Sequence, residues 1–236
     1  MFNYDICVAR YNEDLDWLKT YKNNSVIYNK GSDLDEKQFK KIVKTQPVGT
    51  ESYSFFSYIV DHYDNLPEVV AFIQGRVDDH LGDAKNKHSE NDKKNPLIFL
   101  DYILNEAYKK GISAPIDETV YDHTDWKLAT PDRITGKECA VVEYANMTEW
   151  WENYIGLQWP GPSRCVWCQC FAVRKENILQ HPKELYVKIR NDPNFQNTYC
   201  EVSHFWERML SHFLQINGIK KMKFSNNVVL VHMRGE

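Results

Sequence analysis

No stretch of this chain reaches the 18 or so uninterrupted apolar residues that a membrane-spanning helix needs. Its first residues, MFNYDICVARYNED, also lack the basic start and long apolar run of an export signal. The expectation is a soluble, cytoplasmic protein with no membrane span, placed in the host cytoplasm if its source is viral. Positive charge is not in excess either. Lys and Arg number 29 against 33 Asp and Glu, a net charge of −4, so no general basic surface exists to neutralise phosphates and no nucleic-acid partner is expected. Cysteine is sparse: six in 236 residues are too few for a disulfide scaffold, and reduced thiols are the expectation. The densest group, Cys165-Val-Trp-Cys168-Gln-Cys170, has no second Cys-x-x-Cys pair to complete a zinc tetrahedron. In a strand Cys168 and Cys170 would share one face while Cys165 points to the other, so core thiols are expected there and not zinc.

What is present fits one folded domain. Hydrophobic residues at 42% beside 26% charged residues exclude both a disordered chain and a membrane protein, and 236 residues suit a single α/β domain. Tyr4–Ala9 is a short β-rich run that stops at Arg10-Tyr-Asn-Glu-Asp14, predicting strand, loop and helix. Ser25–Asn29 predicts a second strand closed by Lys30-Gly31. Phe55, Phe56, Ile59, Val60 and Tyr63 recur at helical spacing, and Asn65-Leu-Pro67 ends that helix. Glu68–Ile73 is nearly all apolar, as in a strand covered on both faces. This alternation predicts a mostly parallel central sheet flanked by helices, with a ligand crevice at the strands' carboxyl ends: Arg10–Asp14, Asn29–Gly31 and Gln74–His80.

Beyond it, residues 83–95 are polar and read as a surface loop, and a helix is expected over about Pro96–Lys109. Residues 111–164 carry no clear period, with one strand near Ala140–Tyr144. The tail predicts a strand near Cys165–Val173, helices near Lys183–Arg190 and Glu201–Gln215, and a last strand at Asn227–His232.

Three places carry candidate chemistry. Arg76-Val-Asp78-Asp79-His80 offers carboxylate and imidazole ligands suited to Mn²⁺ or Mg²⁺ bridging a diphosphate; the alternative is an acidic, solvated turn. His232 ends the last strand and would complete such a site, with Arg234 for phosphate oxygens; the alternative is a capped histidine at a sheet edge. Glu207 lies off the apolar stripe of Phe205, Met209 and Phe213, where it would serve as general base toward an acceptor hydroxyl, or be an exposed helix glutamate. Glu201 and His204 are less favoured substitutes for it. Trp150, Trp151, Trp159 and Trp167, with Tyr144 and Tyr154, supply aromatic faces for sugars or bases, or simply core.

Three blocks together resemble a little-characterised family of glycosyltransferase-like proteins of fungi, bacteria and large DNA viruses. They are Val8-Ala-Arg-Tyr-Asn-Glu-Asp14 with Trp17; Gly49-Thr-Glu-Ser52 through Tyr58-Ile-Val-Asp61, Tyr63-Asp-Asn-Leu-Pro67 and Phe72-Ile-Gln-Gly75 to Asp79-His80; and Phe171-Ala-Val173 with Phe205-Trp-Glu-Arg208. The opening block also looks like the entry strand of GT-A nucleotide-sugar glycosyltransferases. The resemblance implies a single GT-A-like domain over 1–236, with a nucleotide-binding half at about 1–82 and an acceptor-side half at about 96–236. It implies transfer of a sugar from a nucleoside-diphosphate donor, UDP-linked, to a glycan or other hydroxyl acceptor. Ala9, Arg10, Tyr11, Glu13, Asn29, Lys30, Gln74, Arg76 and Asp78 would bind the donor, Asp78, Asp79 and His232 the metal, and Glu207 would be the base. Val-Asp-Asp-His here departs from a strict Asp-x-Asp, which leaves open which carboxylate takes the metal. The alternatives are an inactive nucleotide-sugar or glycan-binding module of the same fold, and a metal-dependent phosphodiesterase or nucleotidyltransferase.

Overall fold

The computed structural model describes residues 2–77, 96–113, 119–129, 136 and 138–214, with the short pairs 223–224 and 227–228. In chain order the strands are β1 (Tyr4–Arg10), β2 (Ser25–Asn29), β3 (Lys41–Lys44), β4 (Val69–Gln74), β5 (Ile112–Ser113), β6 (Phe171–Arg174), β7 (Lys223–Phe224) and β8 (Asn227–Val228). The helices are α1 (Thr50–His62), α2 (Pro96–Lys110), α3 (Met147–Glu149), α4 (Lys175–Leu179), α5 (Lys183–Arg190) and α6 (Glu201–Phe213).

Among the described residues six strands form one sheet in the order β3-β2-β1-β4-β6-β5, and β7 pairs with β8. The β3-β2-β1-β4 block is parallel throughout, whereas β6 runs antiparallel to both β4 and β5. The sheet is therefore mixed, which corrects the expectation of a mostly parallel one. The strand–helix alternation behind that expectation covers only the first 75 residues. β6 enters from the far end, with Phe171 beside Phe72 and Arg174 beside Val69.

Side chains alternate along each strand and so build two cores. Cys7, Val26, Tyr28, Val70, Phe72, Phe171 and Val173 face one side, under α1, α5, α6 and the Trp150–Ile155 turn. That side is aromatic: Phe72 stacks on Phe171 with centroids 4.9 Å apart, and Trp206 meets Phe56 at 4.6 Å. Such contacts each add about 0.5–1.5 kcal/mol beyond area burial. Ile6, Val8, Ile27, Val69, Ala71, Ile73 and Ala172 face the other side, under α2 and the 3-10 turns of Asp16–Asn24. α2 meets them through Phe99, Leu100, Ile103, Leu104 and Ala107, an amphipathic spacing.

Several local expectations shift. The helix expected after Asp14 is a 3-10 helix. Ala140–Tyr144 contributes a single bridge, Ala140 to Cys200, and no strand. The strand expected from Cys165 begins only at Phe171, because Trp167–Gln169 form a tight turn in which Cys168 and Gln169 have φ of 60° and 49°. The strand-face argument for the three cysteines thus does not apply, although Cys165 and Cys170 are buried as core thiols should be, and no disulfide joins any of the six cysteines. Of Asn227–His232, only Asn227–Val228 is described, as β8. The 83–95 stretch lies outside the described residues. Among the described residues no helix is long and apolar enough to cross a membrane.

Candidate functional site

The chain order reverses between β1 and β4: β2 and β3 add on one side of β1, and β4 joins the other. In open α/β sheets ligands bind outside the carboxyl ends at such a point. Ala9 and Gln74 are register partners there, and Gly75 N–H donates to the Ala9 carbonyl at 2.9 Å.

Arg10 ends β1 as a 6% exposed side chain whose guanidinium is turned inward. Its Nε donates to the Glu13 carbonyl at 2.9 Å, and its Nη1 to Asn29 Oδ1 at 2.8 Å and to the Ser32 carbonyl at 2.9 Å. Arg10 therefore ties the β1 and β2 ends together. Glu13 folds back to accept the Tyr11 N–H at 2.6 Å, and the Tyr11 ring is left 56% exposed at the rim. Two glycines permit these turns. A Cβ on Gly31 would lie 1.5 Å from the Tyr11 carbonyl oxygen, and one on Gly75 would lie 2.9 Å from Glu13 Oε2.

On the other side of β4 a polar network links α1, the 167–169 turn and α6. Gln74 Nε2 donates to the Cys168 carbonyl at 2.9 Å, and Cys168 N–H donates to Glu207 Oε1 at 3.0 Å. Gln169, 1% exposed, accepts from Ser52 Oγ at 2.7 Å and donates to the Ser203 carbonyl at 3.2 Å and to Glu51 Oε1 at 3.3 Å. Glu51 also takes hydrogen bonds from its own N–H, Thr50 and Gln74, and burial raises its pKa despite them. Thr50 carries a φ of 43°, so three non-glycine residues in left-handed backbone gather at this edge. Strain of this kind clusters where surrounding structure holds a site in place.

Glu207 has 19% of its side chain exposed; His204 Nδ1 is 3.8 Å and Arg208 Nη1 3.9 Å from its Oε2. The Arg208 guanidinium lies 3.8 Å over the Trp126 ring, and burial lowers its pKa. Glu201, by contrast, is fully buried and accepts from the Leu128 and Val142 N–H groups, so its carboxylate clamps the preceding loop and faces no crevice.

Of the residues named from sequence, Ala9, Arg10, Tyr11, Glu13, Asn29, Lys30 and Gln74 thus meet on one edge, and Glu207 joins them through Cys168. Arg76 is exposed just past β4. Asp78, Asp79 and His232 lie outside the described residues, as do His80 and Arg234. Among the described residues no three His, Cys, Asp or Glu side chains gather as a metal-holding group. Glu51, Gln169, Ser52 and Ser203 were not foreseen. The one signal was the Gly49-Thr-Glu-Ser52 block, which names no role.

A family model described as "Protein of unknown function (DUF3431)" matches residues 6–216. The chain belongs to that family. No curated protein and no solved structure matches it. The DUF3431 match takes in the whole described edge, from Arg10 to Glu207, and ends before His232.

Proposed function

We propose that this protein is a glycosyltransferase of GT-A type, moving a sugar from a nucleoside-diphosphate donor, UDP-linked, to a glycan or other hydroxyl acceptor. The observation that carries the reading is the convergence of the donor-side residues at the switch point, with Glu207 reaching the same edge through Cys168. Tyr11 presents an exposed aromatic face on which a base or sugar ring can stack. Arg10, buried by its bonds to Glu13, Asn29 and Ser32, acts by fixing the shape of the donor loop and not by touching phosphate. On the acceptor side, the Cys168 N–H holds Glu207 Oε1 while Oε2 lies 3.8 Å from His204 Nδ1 and 3.9 Å from Arg208 Nη1, and in this reading the carboxylate so held takes the proton of an acceptor hydroxyl. Mn²⁺ or Mg²⁺ at Asp78, Asp79 and His232 belongs to the proposal; when bound, the ion would neutralise a leaving diphosphate.

The test is a panel of UDP-glucose, UDP-galactose, UDP-N-acetylglucosamine and GDP-mannose with Mn²⁺, read by thermal shift and by release of nucleoside diphosphate. A shift with one donor and slow hydrolysis is expected. A shift without hydrolysis or transfer favours the binding module, and a response only to nucleoside triphosphates favours a nucleotidyltransferase. Glu207→Gln keeps the Cys168 hydrogen bond but removes the base, so donor binding should stay near normal while turnover falls about 10²- to 10⁴-fold. Turnover at the parental rate would remove Glu207 from the chemistry. Asp78→Asn and Asp79→Asn should each abolish Mn²⁺-dependent donor stabilisation with the far-UV circular dichroism spectrum intact; unchanged Mn²⁺ dependence in both would sink the metal assignment.

A further inference from the structure

Lys30, directly after β2, is a largely buried cation whose direct hydrogen-bond partners are neutral. Its Nζ donates to the Val48 carbonyl at 2.6 Å and to the Thr50 carbonyl, both neutral acceptors. Among the described residues no carboxylate forms an ion pair with it. The nearest acidic groups are Glu51, Cys200 and Cys7. The two thiols have pKa values raised by burial and are neutral at pH 7, and the Glu51 carboxylate, which attracts Lys30 without touching it, takes its hydrogen bonds from Thr50, Gln74 and Gln169. Burial accordingly pushes the Lys30 ammonium down to about 8. Buried charges in folded proteins are as a rule paired, because removing an ion from water is otherwise expensive. Lys30 has no direct pair among the described residues, and the attraction of Glu51 offsets its burial only in part.

An ammonium has three N–H donors, and the carbonyls take two. Beyond them lies the Tyr53 ring, its centroid 5.8 Å from Nζ, and an open cleft of about 620 Å³ lined by Lys30, Lys44, Thr45, Gln46, Pro47 and Tyr53. Lys44 supplies a second cation. Its present partner, Asp33, is as exposed as Lys44 itself, and such surface pairs contribute little, so Lys44 can turn to a ligand at small cost. Thr45 adds a hydroxyl to the lining, and among the described lining residues none is a carboxylate.

We propose that this cleft binds a phosphoryl group, with Lys30 and Lys44 as the cations that hold it. Two ammonium groups match a phosphoryl dianion, and lysine serves phosphate as a point charge. The cleft exceeds the volume of phosphate itself, which fits a phosphoryl group carried on a larger ligand. Lys30 is shared with the donor-side edge, whereas Lys44, Thr45, Gln46, Pro47 and Tyr53 lie outside the residues assigned to the donor, so the case for the cleft rests on its own lining and not on sugar transfer.

Inorganic phosphate is the direct probe, titrated at pH 7 and constant ionic strength and followed by calorimetry. Saturable binding is expected, weakened at least about tenfold in Lys30→Met and about three- to tenfold in Lys44→Met. Lys30→Met keeps the aliphatic stem and removes a charge that burial penalises, so it should fold. If it does not, Lys44→Met, altering an exposed side chain, carries the test. Absence of saturable binding, or unchanged affinity in the folded variants, overturns the proposal. UMP and uridine identify the carrier. Displacement of phosphate by UMP but not by uridine supports the site as one for a nucleotide's phosphoryl group. Phosphate binding that UMP leaves alone supports it as one for a phosphoryl group of another ligand. Because phosphate is read directly, the site stands or falls separately from the nucleotide-sugar panel.

Discussion

Two lysines in this molecule are held in nearly the same way and completed differently. Lys127 donates to the Val142 carbonyl at 2.8 Å and the Tyr144 carbonyl at 2.6 Å, and its third partner is the fully buried Glu201 carboxylate at 3.2 Å. Lys30 likewise donates to two carbonyls, of Val48 and Thr50, but where Lys127 has a carboxylate, Lys30 has a cleft. Around Lys127 the charges close on one another, and the effect is to fasten Lys127, Leu128, Val142 and Tyr144 onto the start of α6. Around Lys30 the set is open on the edge of the sheet where the switch point lies. The same chemistry makes a fastening in one region and a binding capacity in the other, and the presence of the matching carboxylate is what separates them.

The largest effect should come from breaking the closed set. Glu201→Ala removes the acceptor of the Leu128 and Val142 N–H groups and leaves Lys127 without its counter-charge. Breaking a buried pair by deleting one partner costs about 3–5 kcal/mol, and urea unfolding should show a loss of that order. Lys127→Met should also destabilise, since it strands the Glu201 charge. A loss below 1 kcal/mol in both would mean that the clamp is ornamental and that the two lysines do not differ as argued.

The open set should respond in the opposite sense. Lys30 has a folded pKa of about 8, below the roughly 10.4 of an unfolded lysine, so between those values the unfolded chain binds more protons. Stability then rises with pH across that window, and the penalty is fully present below about pH 8. Lys30→Met should therefore be more stable than the parent at pH 7, by about 1–3 kcal/mol, with the gap closing as pH rises toward 9.5. Glu51, Cys7 and Cys200 face Lys30, and the variant also withdraws the ammonium that favours the Glu51 carboxylate, so the same pair of curves in a Glu51→Gln background isolates the lysine. Parallel stability curves from pH 7 to 9.5 would show that the ammonium is not penalised by its surroundings.

Much of the fold could be read from local pattern. β1, β2, β4, α1, α2, α5 and the body of α6 fall where apolar periodicity puts them, because each buries a regular stripe. β3 could not be found this way: Lys-Ile-Val-Lys is four residues of an edge strand with exposed ends, and pairing with β2 alone makes it a strand. The direction of β6 is likewise a matter of long-range pairing. For the site, the strand ends were legible because switch-point geometry follows from strand order. Arg10 was legible as a residue of the edge but not in its action, since only the folded loop reveals that Glu13, Asn29 and Ser32 absorb its donors. Gln169 and Glu51 gave no local signal. They matter through contacts across more than a hundred residues of sequence, as between Gln169 and Ser52.

The smallest effect sharpens the comparison at the backbone. Cys168 is held at φ 60°, a conformation that costs a non-glycine residue about 1–2 kcal/mol. Glycine adopts it freely but loses about 0.5–1 kcal/mol more chain entropy on folding. Cys168→Gly also keeps the N–H that reaches Glu207 and the carbonyl that Gln74 donates to. Stability should therefore change little, rising by up to about 1 kcal/mol. Under the proposed function, catalysis should move the other way. If the strained turn fixes Glu207 for proton transfer, a glycine there widens the range of orientations the N–H can take, so turnover should drop while donor affinity holds. A variant that gains stability and keeps full turnover would show that the turn is only a tight connection into β6. One that loses stability instead would show that the Cys168 side chain itself secures the edge. In that case the strain near Glu207 is balanced by packing at Cys168, whereas the charge at Lys30, only partly offset by Glu51, is completed by the proposed ligand.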